Sequence, residues 1–179
     1  MRSGPVGALG RDRRADHDGS GDPRDDAEAH VSGNVFSVRD RVRWSEVDGA
    51  EIIYFGAYVR FIELAETELL RDVGLPYSEI FDRFDIWLPR VHLEFDFFAP
   101  ARLDEMLEVR TTIERIGTSS ITLRMEIWSE ERKRQCALAA MVVACVGRET
   151  LTSQPLPAAV VAALEPYRVA SADSSRIAP

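Results

Sequence analysis

The sequence predicts an α+β domain, with an antiparallel sheet of about five strands wrapped around one long helix. Three observations carry this. From Tyr58 the apolar positions take helical spacing, at Tyr58, Phe61, Ile62, Ala65, Leu69 and Val73, which makes one broad stripe. Most of the rest alternates apolar and polar with period two, as strands with one buried face do. The connections between the later strands are short, which favours antiparallel neighbours in a meander.

Each element follows in order. Phe36, Val38, Val42 and Trp44 share one parity, with Arg39, Arg41 and Arg43 on the other, predicting a first strand with a polar face. The helix should end near Gly74, a C′ residue, with Pro76 as a stop. Ile52, Ile53, Leu64 and Leu70 extend its apolar character, so more than one side should be covered. In "PRVHLEFDFFAP", Val91, Leu93, Phe95 and Phe97 alternate with Arg90, His92, Glu94 and Asp96. "EMLEVRTTIERI" and the segment after "GTSS" repeat the alternation, through Leu107, Val109 and Ile113, then Ile121, Leu123, Met125 and Ile127. "ERKRQ" supplies a turn, and "CALAAMVVACV" is apolar on both faces, which predicts a central strand covered on each side.

A chain of 179 residues fits one domain with a core of useful size. Residues 1–34 are rich in Gly, Asp and Arg and read as a disordered tail holding His17 and His30. Residues 35–168 form the domain, and 169–179 are a second loose tail. A formal charge of -8 argues against a nucleic-acid partner. No apolar run reaches the ~18–20 residues that span a bilayer, and the N-terminus has no apolar core of a secretory signal. A cytoplasmic location is therefore expected. Cys136 and Cys145 lie in the last apolar strand, without the neighbours a disulfide framework or metal site needs, and read as structural.

The stretch "DGAEIIYFGAYVRFIELAETELL" resembles the signature of hotdog-fold thioesterases of the 4-hydroxybenzoyl-CoA thioesterase type. Asp48, Ile52, Ile53, Tyr54 and Tyr58 match it without a gap. "DFFAPARLDEMLEVRTTIERIGTSSITLRMEI" matches the family's strand, its Ala-Pro-Ala-Arg turn and its Gly-x-Ser-Ser hairpin. The resemblance covers about Val38 to Val146 and implies hydrolysis of an acyl thioester, delivered by coenzyme A or by an acyl carrier protein. It implies no metal or other cofactor. Aliphatic, aromatic and polyketide acyl groups all remain open, since one fold serves many substrates.

Carried over by position, Asp48 is the nucleophile or general base. The Phe55 backbone N–H, helped by Gly56, polarises the thioester carbonyl, because helix starts offer unpaired N–H groups and a positive dipole end. On its own, Asp48-Gly49 is also a common turn pair. Glu63 is a second candidate carboxylate, its alternative being a helix Glu paired with Arg60 or another arginine. Tyr54, Trp87 and Phe61, with Phe55, are candidate pocket aromatics. Glu51, Tyr58, Arg90 and the hairpin residues Thr118, Ser119 and Ser120 are further candidates for substrate contact.

Three departures from the pattern are visible. Glu51 stands where the family usually has Gly, Phe55 where many bacterial relatives have His, and Ala57 where Asn or Ser is frequent. Thr118 replaces a frequent Lys or Arg, which would weaken a grip on coenzyme A phosphates and leaves room for a carrier protein. Arg115, Arg124 and the Glu131–Arg134 turn are other candidates for phosphates, or are plain solvated cations. His92 reads as an interface or surface residue. Glu51 and Ala57 favour the alternative of a non-catalytic acyl-thioester binding module. A hotdog dehydratase would need a helix histidine, and none occurs between Val31 and Val91. The aliphatic strand edges imply a homodimer or homotetramer whose sites draw on two chains.

Overall fold

The computed structural model describes residues 33–169. The two tails fall outside it apart from Gly33, Asn34 and Val169. Strand β1 (Phe36–Arg41) leads through a loop to helix α1 (Tyr58–Asp72), followed by a short helix α2 (Tyr77–Phe84). Then come β2 (Ile86–Trp87), β3 (Arg90–Phe97), β4 (Met106–Ile116), β5 (Ser120–Ser129), β6 (Arg134–Ala144), β7 (Val146–Gly147) and helix α3 (Ala158–Leu164). Five strands form one antiparallel sheet in the order β1-β4-β5-β6-β3, and β2 pairs with β7 as a separate ribbon.

Helix α1 buries Tyr58, Phe61, Ile62, Ala65, Leu69 and Leu70 against one face of this sheet. That face is built by Leu107, Val109 and Ile113, by Leu123, Met125 and Ile127, and by Ala137, Ala139 and Met141. The alternation in the sequence thus marks the helix-facing side strand by strand. Gly74 takes a φ of 75°, the left-handed backbone that ends a helix most cheaply at glycine. Pro76 then opens α2 as its N-cap residue. Short α2 and α3 and the β2–β7 ribbon were not expected from the sequence.

Four expectations change. β1 ends at Arg41, and Trp44 sits in a single 3₁₀ turn, Trp44–Glu46, at 79% exposure. The strands after the helix are not one meander. β3 lies beyond β6, because β1 occupies the edge of β4 that a sequential neighbour would take. β6 is buried on one side only. Leu138, Ala140 and Val142 on its other side are half-buried, flanked in register by Glu126 and Asp96, Arg124 and Glu94, and Thr122 and His92. Long polar side chains beside small apolar ones supply that partial cover. Lastly, a register shift between Arg90 and His92 sets Arg90 opposite Val143, on the helix side, as bulges re-aim a side chain.

No helix among the described residues is long and apolar enough to cross a membrane. Cys136 and Cys145 are both free and buried.

Thr111 is fully buried on the helix-facing side of β4, and its hydroxyl has no hydrogen-bond partner among the described residues. An unsatisfied buried donor costs ~1–3 kcal/mol, so Thr111→Val, of the same shape, should stabilise the fold by about 1 kcal/mol. Urea unfolding monitored by circular dichroism should show a higher midpoint at unchanged slope.

Candidate active site

At the end of the sheet where β1 and β3 finish, the chain folds back on itself in a seven-residue hairpin. Val47 and Ile53 form an antiparallel bridge. The Asp48 N–H donates to the Ile52 carbonyl at 3.0 Å, and the Tyr54 N–H to the Glu46 carbonyl at 3.1 Å. The tip closes as a turn in which the Glu51 N–H donates to the Asp48 carbonyl at 2.9 Å. The Ala50 N–H donates to Asp48 Oδ1 at 2.8 Å, so one carboxylate oxygen holds the turn. The other has no protein partner among the described residues. Both readings of Asp48 are therefore physically compatible, one oxygen serving each.

The exposed Asp48 side chain lines a cleft of about 690 Å³ together with Trp44, Val47, Gly49, Glu51 and Arg102. Glu51 supplies the tightest backbone geometry in the hairpin, with φ at 61°. This is the position where glycine is usual in the resemblance, and the left-handed angle gives the reason.

The second arm of the hairpin runs straight into the helix. Tyr54 is extended (φ -78°, ψ 151°), and one 3₁₀ turn, Phe55–Ala57, precedes α1. The Ala57 N–H bonds the Tyr54 carbonyl at 3.0 Å. The N–H groups of Phe55 and Gly56 have no acceptor among the described residues, as expected for the first groups of a helical segment. Gly56 packs under the Tyr54 ring, where an added Cβ would lie 3.0 Å from Cε2. A second cleft of about 320 Å³ opens beside this turn, lined by Ile52, Phe55, Tyr58, Phe97 and Phe98 among others. The 99–103 segment joins the two clefts, through an Ile52–Arg102 bridge and an Ile53 N–H bond to the Ala101 carbonyl at 3.0 Å.

Tyr58 forms the floor. It is buried, with its ring 5.2 Å from Phe97 and 6.3 Å from Phe95, and burial pushes its hydroxyl pKa far up. It stays neutral and can only donate or accept a hydrogen bond.

The other predicted residues are dispersed. Phe61 is core. Glu63 is exposed on α1, and its charge helps raise the pKa of Arg90. Arg90 reaches Glu66, a carboxylate the sequence reading passed over. Its Nη2 lies 2.5 Å from Glu66 Oε2, and the Tyr77 hydroxyl donates to Oε1. Trp87 stands edge-on to Phe81 at 4.9 Å, with the Arg148 guanidinium 4.8 Å over its ring. In Thr118, Ser119 and Ser120 the backbone is engaged instead. The Leu156 N–H bonds the Thr118 carbonyl, the Cys145 N–H that of Ser119, and the Gly117 N–H that of Ser120, each at 2.8 Å. Within one chain Trp87, Arg90 and the three hairpin residues line neither cleft. Arg60 pairs with Glu46 and Asp40 and not with Glu63. His92 is exposed on β3, 3.7 Å from Glu94. No cluster of three metal-ligating side chains occurs among the described residues.

Comparison with known proteins decides the family. The model of the Thioesterase superfamily matches residues 50–136. The acyl-CoA thioester hydrolase YbgC of Escherichia coli O157:H7 is 30% identical over 122 residues, spanning 68% of this chain and 90% of that protein. The chain belongs to the Thioesterase superfamily. As such it is an enzyme, a thioesterase, with the hotdog fold of its structural neighbours. The 1,4-dihydroxy-2-naphthoyl-CoA hydrolase of a Synechocystis strain is 28% identical over 123 residues, covering 69% of this chain and 89% of the relative. A crystal structure of a 1,4-dihydroxy-2-naphthoyl-CoA thioesterase from Synechocystis superposes with a TM-score of 0.68 at 27% identity. It covers 73% of this chain and 96% of the other. The matched region of the superfamily model begins two residues after Asp48.

A non-glycine residue in the left-handed region costs about 1–2 kcal/mol. Glycine there gives part of this back through its larger unfolded-state entropy. Glu51→Gly should therefore stabilise the protein by about 0.5–1 kcal/mol, raising Tm by about 1–4 °C in a scanning calorimeter.

Proposed function

We propose that this thioesterase hydrolyses acyl-CoA thioesters at the 47–57 segment, with Asp48 delivering the attack and the Phe55 and Gly56 N–H groups holding the oxyanion. The observation that carries this is one continuous piece of chain. Among the described residues, it presents a carboxylate oxygen without a protein partner at the hairpin tip and two N–H groups without an acceptor where its second arm enters α1.

The chemistry follows from the groups present. The thioester carbonyl oxygen accepts hydrogen bonds from the two N–H groups, and the positive end of α1 favours negative charge there. Asp48 attacks the carbonyl carbon directly, or takes a proton from a water that does so. The tetrahedral species collapses with rupture of the C–S bond, and the thiolate leaves. After direct attack the acyl group is left as an anhydride on Asp48 that water cleaves to free acid and aspartate, whereas the water route gives the free acid at once. On both routes water supplies the acid's new oxygen and the thiol's proton. The apolar cleft at Ile52, Phe55 and Phe97 suits an acyl group. The names of the relatives support coenzyme A as carrier. A carrier protein is a second reading, favoured by Thr118, which leaves the exposed hairpin tip uncharged.

The site is read as completed by a second copy. Among the described residues β3 pairs only with β6, and it leaves Val91, Phe97 and the adjoining Phe98 more than half exposed. An open edge with apolar side chains calls for cover. A partner laid there would also close the cleft that Phe97 and Phe98 line and bring further residues to it.

Asp48→Asn keeps the Oδ1 that holds the turn and removes the charge. It should leave Tm unchanged and lower thiol release from an acyl-CoA panel by about 10²–10⁴-fold, measured with a chromogenic thiol reagent. Turnover equal to the parent would remove Asp48 from the reaction. Val91→Arg places a charge on the open edge. Light scattering should show the parent as at least a dimer and the variant with a smaller mass and reduced turnover. A parent that stays monomeric at micromolar concentration contradicts the shared site.

A further inference from the structure

The described residues bury three carboxylates, Glu46, Glu66 and Glu105. Glu105 is engaged by Arg132 and Ser129 and lines no cleft. Glu66 is engaged by Arg90 and Tyr77, and none of the three lines a cleft. Glu46 is different, because it stands two residues before Asp48 and is bound on every side. Its Oε2 accepts the Arg43 N–H at 2.8 Å and Arg60 Nη2 at 3.0 Å. Arg60 Nε donates to Oε1. Its own carbonyl accepts the Tyr54 N–H at 3.1 Å. Arg60, in the first turn of α1, also gives Nη1 to Asp40 at 2.5 Å and Nη2 to the Arg41 carbonyl at 3.3 Å. Its guanidinium lies 4.1 Å over the Phe61 ring.

We infer that Glu46 and Arg60 are positioning residues of the hydrolytic site, their ion pair setting the Asp48 arm of the hairpin against the start of α1. The inference rests on the reading of Asp48 given above. The two arms of the hairpin are fastened differently. The Ile52–Ile53 arm is tied to the sheet end through Arg102 and Ala101. The Glu46–Asp48 arm is tied to the helix through the Glu46 carboxylate, and to the other arm through backbone bonds. A two-stranded hairpin this short has little stability of its own, and its tip, from Asp48 to Glu51, is exposed. The planar fork of arginine donates two parallel bonds and so fixes an angle as well as a distance. Burial alone would lower the Arg60 pKa, but its bonds to Glu46 and Asp40 outweigh this and raise it. Burial would likewise raise that of Asp40, yet the Arg41 N–H and Arg60 hold it below the ordinary carboxylate value. In this lock, Arg60 and Asp40 therefore stay charged throughout the neutral range.

The test is Glu46→Gln, which keeps the shape and the backbone carbonyl but loses the charge. Misplacement by about 1 Å can lower turnover by about 10²-fold. The expected result is a 10- to 100-fold fall in kcat on acyl-CoA with KM within about twofold of the parent. Glu108→Gln, which breaks the contacts of Glu108 with Ser37, Arg39 and Arg110 on the outer side of β4, should leave kcat within about twofold and separates loss of an ion pair as such from loss of position. A kcat for Glu46→Gln within twofold of the parent overturns the inference and leaves the thioesterase reading intact. Amide hydrogen exchange is read on the same proteins. The Asp48 and Tyr54 N–H groups should exchange about tenfold faster in Glu46→Gln, with Leu69 unchanged. Should the parent cleave no acyl-CoA, the function reading fails, and exchange alone then judges the lock, unchanged rates at Asp48 and Tyr54 overturning it. If Glu46→Gln does not fold, Arg60→Lys, which keeps the charge and loses the fork, is read by the same two measurements.

Discussion

Helix α1 must bury its apolar side under the sheet while keeping its first peptide groups open, and the two demands meet at Tyr58. This residue begins the helix yet is almost fully buried, packed on Phe95 and Phe97 of the edge strand. Burial from the first helical residue pins the axis near its N-terminus, where helices otherwise fray. The turn just before it, Phe55–Ala57, is then carried to the surface with Phe55 exposed. A helix that began its burial one turn later would have no fixed site for its unpaired N–H groups. Everything proposed for the chemistry depends on that placement.

Two ion-pair clusters grip the same helix. Arg60 meets Glu46 and Asp40, and six residues on, Glu66 meets Arg90 and Tyr77. Replacing a buried ion pair by apolar groups is often neutral or even stabilising, so such pairs are weak evidence for stability and better read as orientation devices. Here they tie the helix to the segment before it and to the segments after it, at separate points along its length. The bulge ahead of His92 is what lets Arg90 take part, so an irregularity in the edge strand and a buried helix glutamate explain each other.

The fold was legible because hydrophobic periodicity survives in almost every element. The helical stripe from Tyr58 and the alternation at Leu107, Val109 and Ile113 name their buried faces directly. What failed was long-range. Nothing local tells β3 to lie beyond β6, since that follows from β1 filling the other side of β4. Parity likewise misplaced Arg90, because one inserted residue reverses the sides and leaves no mark in composition. Asp48, Phe55 and Gly56 of the proposed site are pointed to by a motif. Glu46 lies two residues before that motif and was missed, since an acidic residue in a loop reads as solvated until Arg60 is seen folded against it. Arg102 was read only as part of a turn, although it lines the Asp48 cleft.

The two cysteines have a practical bearing. The whole chain contains only Cys136 and Cys145. Both side chains are shut away from solvent, and burial raises both sulfhydryl pKa values. Because the deprotonated form is the nucleophile, the native enzyme contributes almost no colour of its own to an assay with an aromatic disulfide. Slow colour appearing in an enzyme blank would accordingly report unfolding of the sheet, giving each activity measurement a built-in gauge of intactness.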